Sequence, residues 1–145
     1  MSKTVKQSFK NHARMDPYFH YVLIGILLIN LVVWITVALR NHSLLAAWQI
    51  ILGVGLFLLA FKARSYSLKV QDRVIRLEER LRLATLLPEP LRLRIPELTE
   101  AQLVAIRFAP DTELPLIVET VLKEKLTPKE IKQLIQNWRP DYWRV

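Results

Sequence analysis

The chain has 145 residues and no Cys, so it is one small unit in which disulfides, thiolate metal sites and thiol chemistry are excluded. Just over half of it (52%) is apolar, concentrated in runs, and its three His are too separated along the chain to suggest a metal site. The net charge of +8 lies wholly in residues 1–82, which carry twelve Lys/Arg against four Asp/Glu, while residues 83–145 balance nine against nine. Basic charge gathered around hydrophobic segments points to membrane orientation rather than to a nucleic-acid-binding face.

Residues 1–17 form a basic tail with Lys3, Lys6, Lys10 and Arg14. A first transmembrane helix is expected over 18–39, which holds no Asp, Glu, Lys or Arg and no His after His20. Its 22 residues give about 33 Å of helix, enough to cross a bilayer core. Asp16 serves as a cap and Pro17 as a first helical residue. The polar turn 40–43, Arg40-Asn41-His42-Ser43, leads into a second span over 44–61, 18 residues without a charge and about 27 Å long. A signal peptide does not fit, because the first span exceeds a typical apolar signal region and a second span follows at once. A soluble core does not fit either, since the remaining chain has too few apolar faces to enclose two such helices.

Orientation follows from the Lys/Arg bias. The tail and the segment after the second span (Lys62, Arg64, Lys69, Arg73) are basic, whereas the turn has only Arg40. Both termini are therefore expected in the cytoplasm. Tyr18, Tyr21 and Trp48 suit the aromatic belts.

The spans contain no Asp, Glu, Lys or Arg, so neither proton relay nor voltage sensor is indicated. Asn30 and Gln49 are their strongly polar groups. When the span centres are paired the two lie at similar depth, where a hydrogen bond would contribute about 0.6 kcal/mol. Alternatively, Gln49 lies near the outer headgroups and Asn30 meets another subunit. Ala46, Gly53 and Ala60 recur every seven residues and offer a small-residue stripe for close helix packing. Gly53-Val54-Gly55 lies inside the membrane on this reading and is no nucleotide loop.

No breaker separates Phe61 from Leu87, so the second span is expected to continue as an amphipathic stalk helix over 62–87, with Ser65 and Ser67 as the natural place for a bend. Val70, Val74, Leu77, Leu81 and Ala84 follow a 4-3-4-3 spacing and make one apolar seam. Lys69, Arg73, Arg76 and Arg80 form a basic stripe beside it, and Lys62 adds to the charge at the membrane edge. Asp72 with Arg76 and Glu78 with Arg82 are favourable pairs four residues apart. Three roles for the stalk follow. The seam packs on the protein's own C-terminal helices, or self-associates as a short coiled coil, or the helix lies on anionic lipid, where each basic residue contributes about 1 kcal/mol.

Residues 88–97 form a Pro-rich connector in which Leu91 to Ile95 alternates and suits an extended segment. A small three-helix module follows over 98–145. Thr99 with Gln102 makes a capping box ahead of Leu103, Val104, Ile106 and Phe108. After Pro110-Asp111 a second helix runs from about Thr112 through Leu116, Ile117, Val121 and Leu122. Thr127-Pro128-Lys129-Glu130 opens a third with Ile131, Leu134, Ile135 and Trp138. So small a module needs a docking surface. A helix-turn-helix role is disfavoured because the last helix has no cluster of base-reading side chains. The ending Trp138 to Arg144 is aromatic and basic, suited to capping the core or to anchoring at headgroups.

No phosphate loop, metalloprotease or hydrolase motif is present. His12 and His20 fall near the inner surface and His42 on the other side of the bilayer, so interfacial hydrogen bonding is a better reading than a haem or metal site. Neither an enzyme, a cofactor nor a small-molecule substrate is expected.

Four strings carry a resemblance: Phe9 to Arg14, Leu68 to Arg82, Leu98 to Ala109, and Ile131 to Arg139. Together they resemble a bacterial family of small two-span membrane proteins catalogued as a domain of unknown function, over nearly the whole chain. The resemblance implies a bacterial cytoplasmic membrane and a single architectural unit, and no activity. The expectation is an all-α membrane protein: a two-helix hairpin, a stalk continuing the second span, and a small helical module. Its expected role is that of a non-catalytic accessory or scaffold subunit, with membrane lipids and either a protein partner or further copies of itself. Anionic-lipid sensing by the stalk is the alternative, and membrane-tethered nucleic-acid binding comes third.

Overall fold

A computed structural model describes residues 7–9 and 15–141, and every regular element among them is helical. The basic residues of the N-terminal tail, His12, and Tyr142 to Arg144 lie outside the described residues. The chain divides into two compact units, residues 15–69 and residues 70 onward together with the described part of the N-terminal tail.

The first unit is a helical hairpin. Helix α1 covers Tyr18–Asn41. Its first stretch, Tyr18–Leu23, is wound as a π-helix, and the rest, Ile24–Asn41, is α-helical. The Asp16 carboxylate accepts from the Tyr18 and Phe19 backbone N–H groups at 3.1 and 3.3 Å, the cap expected of it. Arg40 and Asn41 belong to α1, so the polar turn shrinks to two residues. His42, in the left-handed conformation at φ 46°, ends the helix with its N–H on the Ala38 carbonyl.

Helix α2 then spans Leu44–Leu86, 43 residues. The bend expected at Ser65 and Ser67 leaves no break in its helical hydrogen bonding; Ser67 Oγ donates back to the Ala63 carbonyl at 3.0 Å. At the open end of the hairpin Phe19 packs edge-on to Phe61 with centroids 5.9 Å apart. There the Arg64 guanidinium lies 4.9 Å from the Phe19 ring centre and 3.6 Å from the Asp16 carboxylate. Most other side chains of the hairpin are apolar and exposed, among them Ile29, Val32, Leu44, Ile51, Leu58 and Leu59.

The second unit is a small helical bundle built on residues 70–86 of α2. It comprises α3 (Glu89–Arg92), a 3-10 turn (Ile95–Glu97), α4 (Glu100–Ile106), α5 (Leu114–Glu124) and α6 (Pro128–Leu134). Both capping boxes form: Thr99 with Gln102 opens α4, and Thr127 with Glu130 opens α6. The core gathers Leu83 and Leu87 with Leu103, Ile106, Phe108, Leu114, Val118 and Ile131, all essentially without solvent exposure.

The connector 88–97 is not extended. Pro88 and Pro90 place α3 at its start, and Leu91 and Ile95, four residues apart, face the core while Leu93 is 76% exposed. A strand would have put all three on one face. Helix α5 begins at Leu114 and turns Leu114, Ile117, Val118 and Val121 inward, leaving Leu116 outside. Helix α6 stops at Leu134 rather than reaching Trp138. The Glu113 carboxylate receives the Gln136 and Asn137 N–H groups and the Asn137 amide, which redirects the chain. Trp138 thereby stacks on Phe108 at 4.7 Å, so its part of the aromatic tail caps the core. The Gln7 amide exchanges two hydrogen bonds with the Asp141 backbone, at 2.8 and 3.1 Å, bringing the two ends of the chain together.

Candidate functional site

Three sets of candidate residues lie along α2. In the hairpin, Ala46 and Gly53 are buried and Ala60 is half-buried, so the small-residue stripe faces α1. A Cβ added at Gly53 would sit 3.4 Å from Leu31 Cδ1 and 3.5 Å from Asn30 Oδ1, whereas one added at Gly55 would meet nothing within 4 Å. Asn30 therefore lies beside Gly53. Gln49 is one turn, about 6 Å, nearer the hairpin turn, and no described hydrogen bond joins it to Asn30. The short turn sets the register, not the midpoints of the apolar runs.

The apolar seam of the stalk does not pack on the C-terminal helices. Val70, Leu77 and Leu81 are 61–63% exposed, and Val74 and Ala84 are exposed as well. The bundle takes a different row, Ile75, Glu79, Leu83 and Leu87, at i,i+4 spacing. Leu77 and Glu79 differ by about 160° around the helix, so the seam and the packed row are on nearly opposite faces.

The basic stripe is split by its surroundings. Arg76 is bound within the chain, its Nε to the Asp72 carbonyl at 3.1 Å and its guanidinium to the Glu100 carboxylate at the start of α4. Its expected partner, the Asp72 carboxylate, is not used. Arg73 and Arg80 remain exposed beside the seam. A groove of about 430 Å³ lies there, lined by Arg73, Val74, Arg76, Leu77, Arg80 and Glu100. Lys62 and Lys69 each place Nζ about 6 Å from the Tyr66 ring centre, at 5.9 and 5.8 Å.

A buried ion network was not foreseen. Glu79 is 4% exposed and pairs with Arg82 at 3.0 Å and Arg139 at 3.6 Å. Arg82 also donates from Nε to the Asp111 carboxylate at 2.8 Å and from Nη2 to the Ala109 carbonyl at 2.7 Å. The expected Glu78–Arg82 pair gives way to Glu79. Burial pushes the Glu79 carboxyl above the ordinary 4.5, and Arg82, then Arg139, draw it partly back. Arg107, also buried, sits 3.3 Å from the Asp141 carboxylate and over the Phe108 ring. Glu79, Arg107, Arg139 and Asp141 line a cleft of about 450 Å³. Glu79 and Asp141 are each paired with arginines of the same unit, which suits locking the bundle on α2.

A family model, the family of unknown function DUF6526, matches residues 1–145. The chain belongs to this family. The match covers the hairpin, the whole of α2 and the bundle. No curated protein and no solved structure matches the chain.

Proposed function

We propose that this member of the family is a non-catalytic subunit or scaffold of a bacterial cytoplasmic membrane assembly, anchored by the hairpin with both termini in the cytoplasm. The observation that carries the reading is the stalk seam: an apolar row left open after the bundle has closed its own core on the opposite face. Such a row on a solvated helix is a surface for another protein. Membrane anchorage is supported by two helices long and apolar enough to cross a bilayer, with apolar side chains exposed around them. The two hydrogen bonds between Gln7 and Asp141 support one compartment for both ends.

Extraction in mild detergent followed by native mass measurement tests the role. Several copies, or a defined co-purifying protein, is the expected result, and a strict monomer with nothing bound contradicts it. Binding of the stalk to anionic lipid is a second reading, favoured by the exposed Arg73 and Arg80 and by the two lysines flanking Tyr66. It requires that charge reversal of Lys69, Arg73 and Arg80 remove a dependence on anionic lipid.

A further inference from the structure

We infer that the occupant of the stalk seam is a second copy of this chain, aligned parallel as a short two-stranded coiled coil. The inference rests on the membrane reading given above, which places every copy's stalk on the same side and pointing the same way.

The heptad register follows from the 4-3-4-3 spacing. Val74 and Leu81 take the a positions, and Val70, Leu77 and Ala84 the d positions. All five are exposed, and the bundle leaves that side of the helix clear. In this register Arg73 and Arg80 fall at g, and Gln71, Glu78 and Thr85 at e. A parallel pair brings each g residue against the e residue five positions further along the partner helix. Arg73 of one copy then meets Glu78 of the other, and two-fold symmetry makes the pair twice. Arg80 meets Thr85, and no like charges oppose one another. An antiparallel pair would set g against g and oppose arginines across the seam, so the charges select the parallel arrangement.

Arg73 and Glu78 are both exposed and cannot satisfy each other within one helix, because five residues turn them about 140° apart. The groove beside Val74 and Leu77 is lined by three arginines and one glutamate, the last already held by Arg76. It therefore calls for a carboxylate from outside, which Glu78 of a second copy supplies. A seam of under three heptads is short for a free peptide, but anchorage in one membrane raises the effective concentration of the second strand.

The chain has no Cys, so a single introduced thiol reports one position. Full-length Val74→Cys and Leu77→Cys, oxidised mildly in native membranes, are expected to give a covalent dimer, while Glu124→Cys on the exposed end of α5 stays monomeric. In the Leu77→Cys background, Arg73→Glu and Glu78→Arg are each expected to lower cross-linking severalfold, and the two together to restore it. Restoration requires the two charges to meet across copies and would not follow from damage to the fold. The inference is overturned if Leu77→Cys remains monomeric, if it cross-links to a different protein, or if the double swap does not recover. Pelleting the same membranes separates the two levels: protein in the membrane fraction without dimer sinks only this inference, and protein in the soluble fraction sinks the membrane reading as well.

Discussion

Removing the Glu79 carboxylate and removing its main cation are not equivalent changes. Arg82 keeps the Asp111 carboxylate and the Ala109 carbonyl, and Arg139 is half-exposed to solvent, so Glu79→Gln strands no buried charge. Its cost should stay within about 1 kcal/mol. Arg82→Met leaves Glu79 buried with only the more distant Arg139 and removes the link to the chain around Asp111. That change should cost about 3 kcal/mol. Thermal unfolding of the detergent-solubilised full chain ranks the two, and the reverse order would contradict the geometry.

The pH dependence has a definite sign. A carboxyl raised above its unfolded value means that the folded chain binds more protons between 4.5 and that raised value, so stability falls as pH rises through this window. Glu79→Gln should abolish the fall. Glu130, held low by hydrogen bonds from Thr127, acts the other way and at lower pH: its contribution is present above 4.5 and is lost as pH falls through the depressed value. The two windows do not overlap.

At the scale of elements, the apolar runs and the caps were legible because each is a local signal. Asp16, Thr99 and Thr127 cap the helices they precede, and the uncharged runs 18–39 and 44–61 both lie within long helices. What was not legible depended on which face of a helix is used. The stalk offered two rows: an uninterrupted apolar seam, and a row of Ile75, Glu79, Leu83 and Leu87 broken by a carboxylate. The bundle takes the second, where Arg82 and Arg139 pair with that carboxylate. The continuation of the row to Leu87, beyond the end of the seam and next to the bundle, was the signal that could have identified it. The connector departs from an extended segment for a related reason: its alternation is also compatible with Leu91 and Ile95 on one helical face.

In the hairpin, Gly53 and Gly55 make a paired test of packing. Gly53→Leu has to push Leu31 and Asn30 aside and should lower the detergent melting temperature of the hairpin by several degrees, whereas Gly55→Leu faces open space and should leave it nearly unchanged. Equal effects would mean that α1 does not pack at Gly53.

At the scale of the whole molecule, α2 contributes to both units: in the hairpin its residues pack on α1, and in the bundle residues 70–86 carry the buried row on one side and the open seam on the other. Lipid around the hairpin and water around the bundle is the arrangement on which the proposed role depends. Single-cysteine labelling of the full chain in intact cells with a membrane-impermeant maleimide tests this directly. Ser43→Cys, in the turn, should label from outside, while Lys3→Cys and Glu124→Cys should label only after the inner membrane is opened. Labelling of either end from outside, or recovery of the unmodified chain in the soluble fraction, would contradict the account.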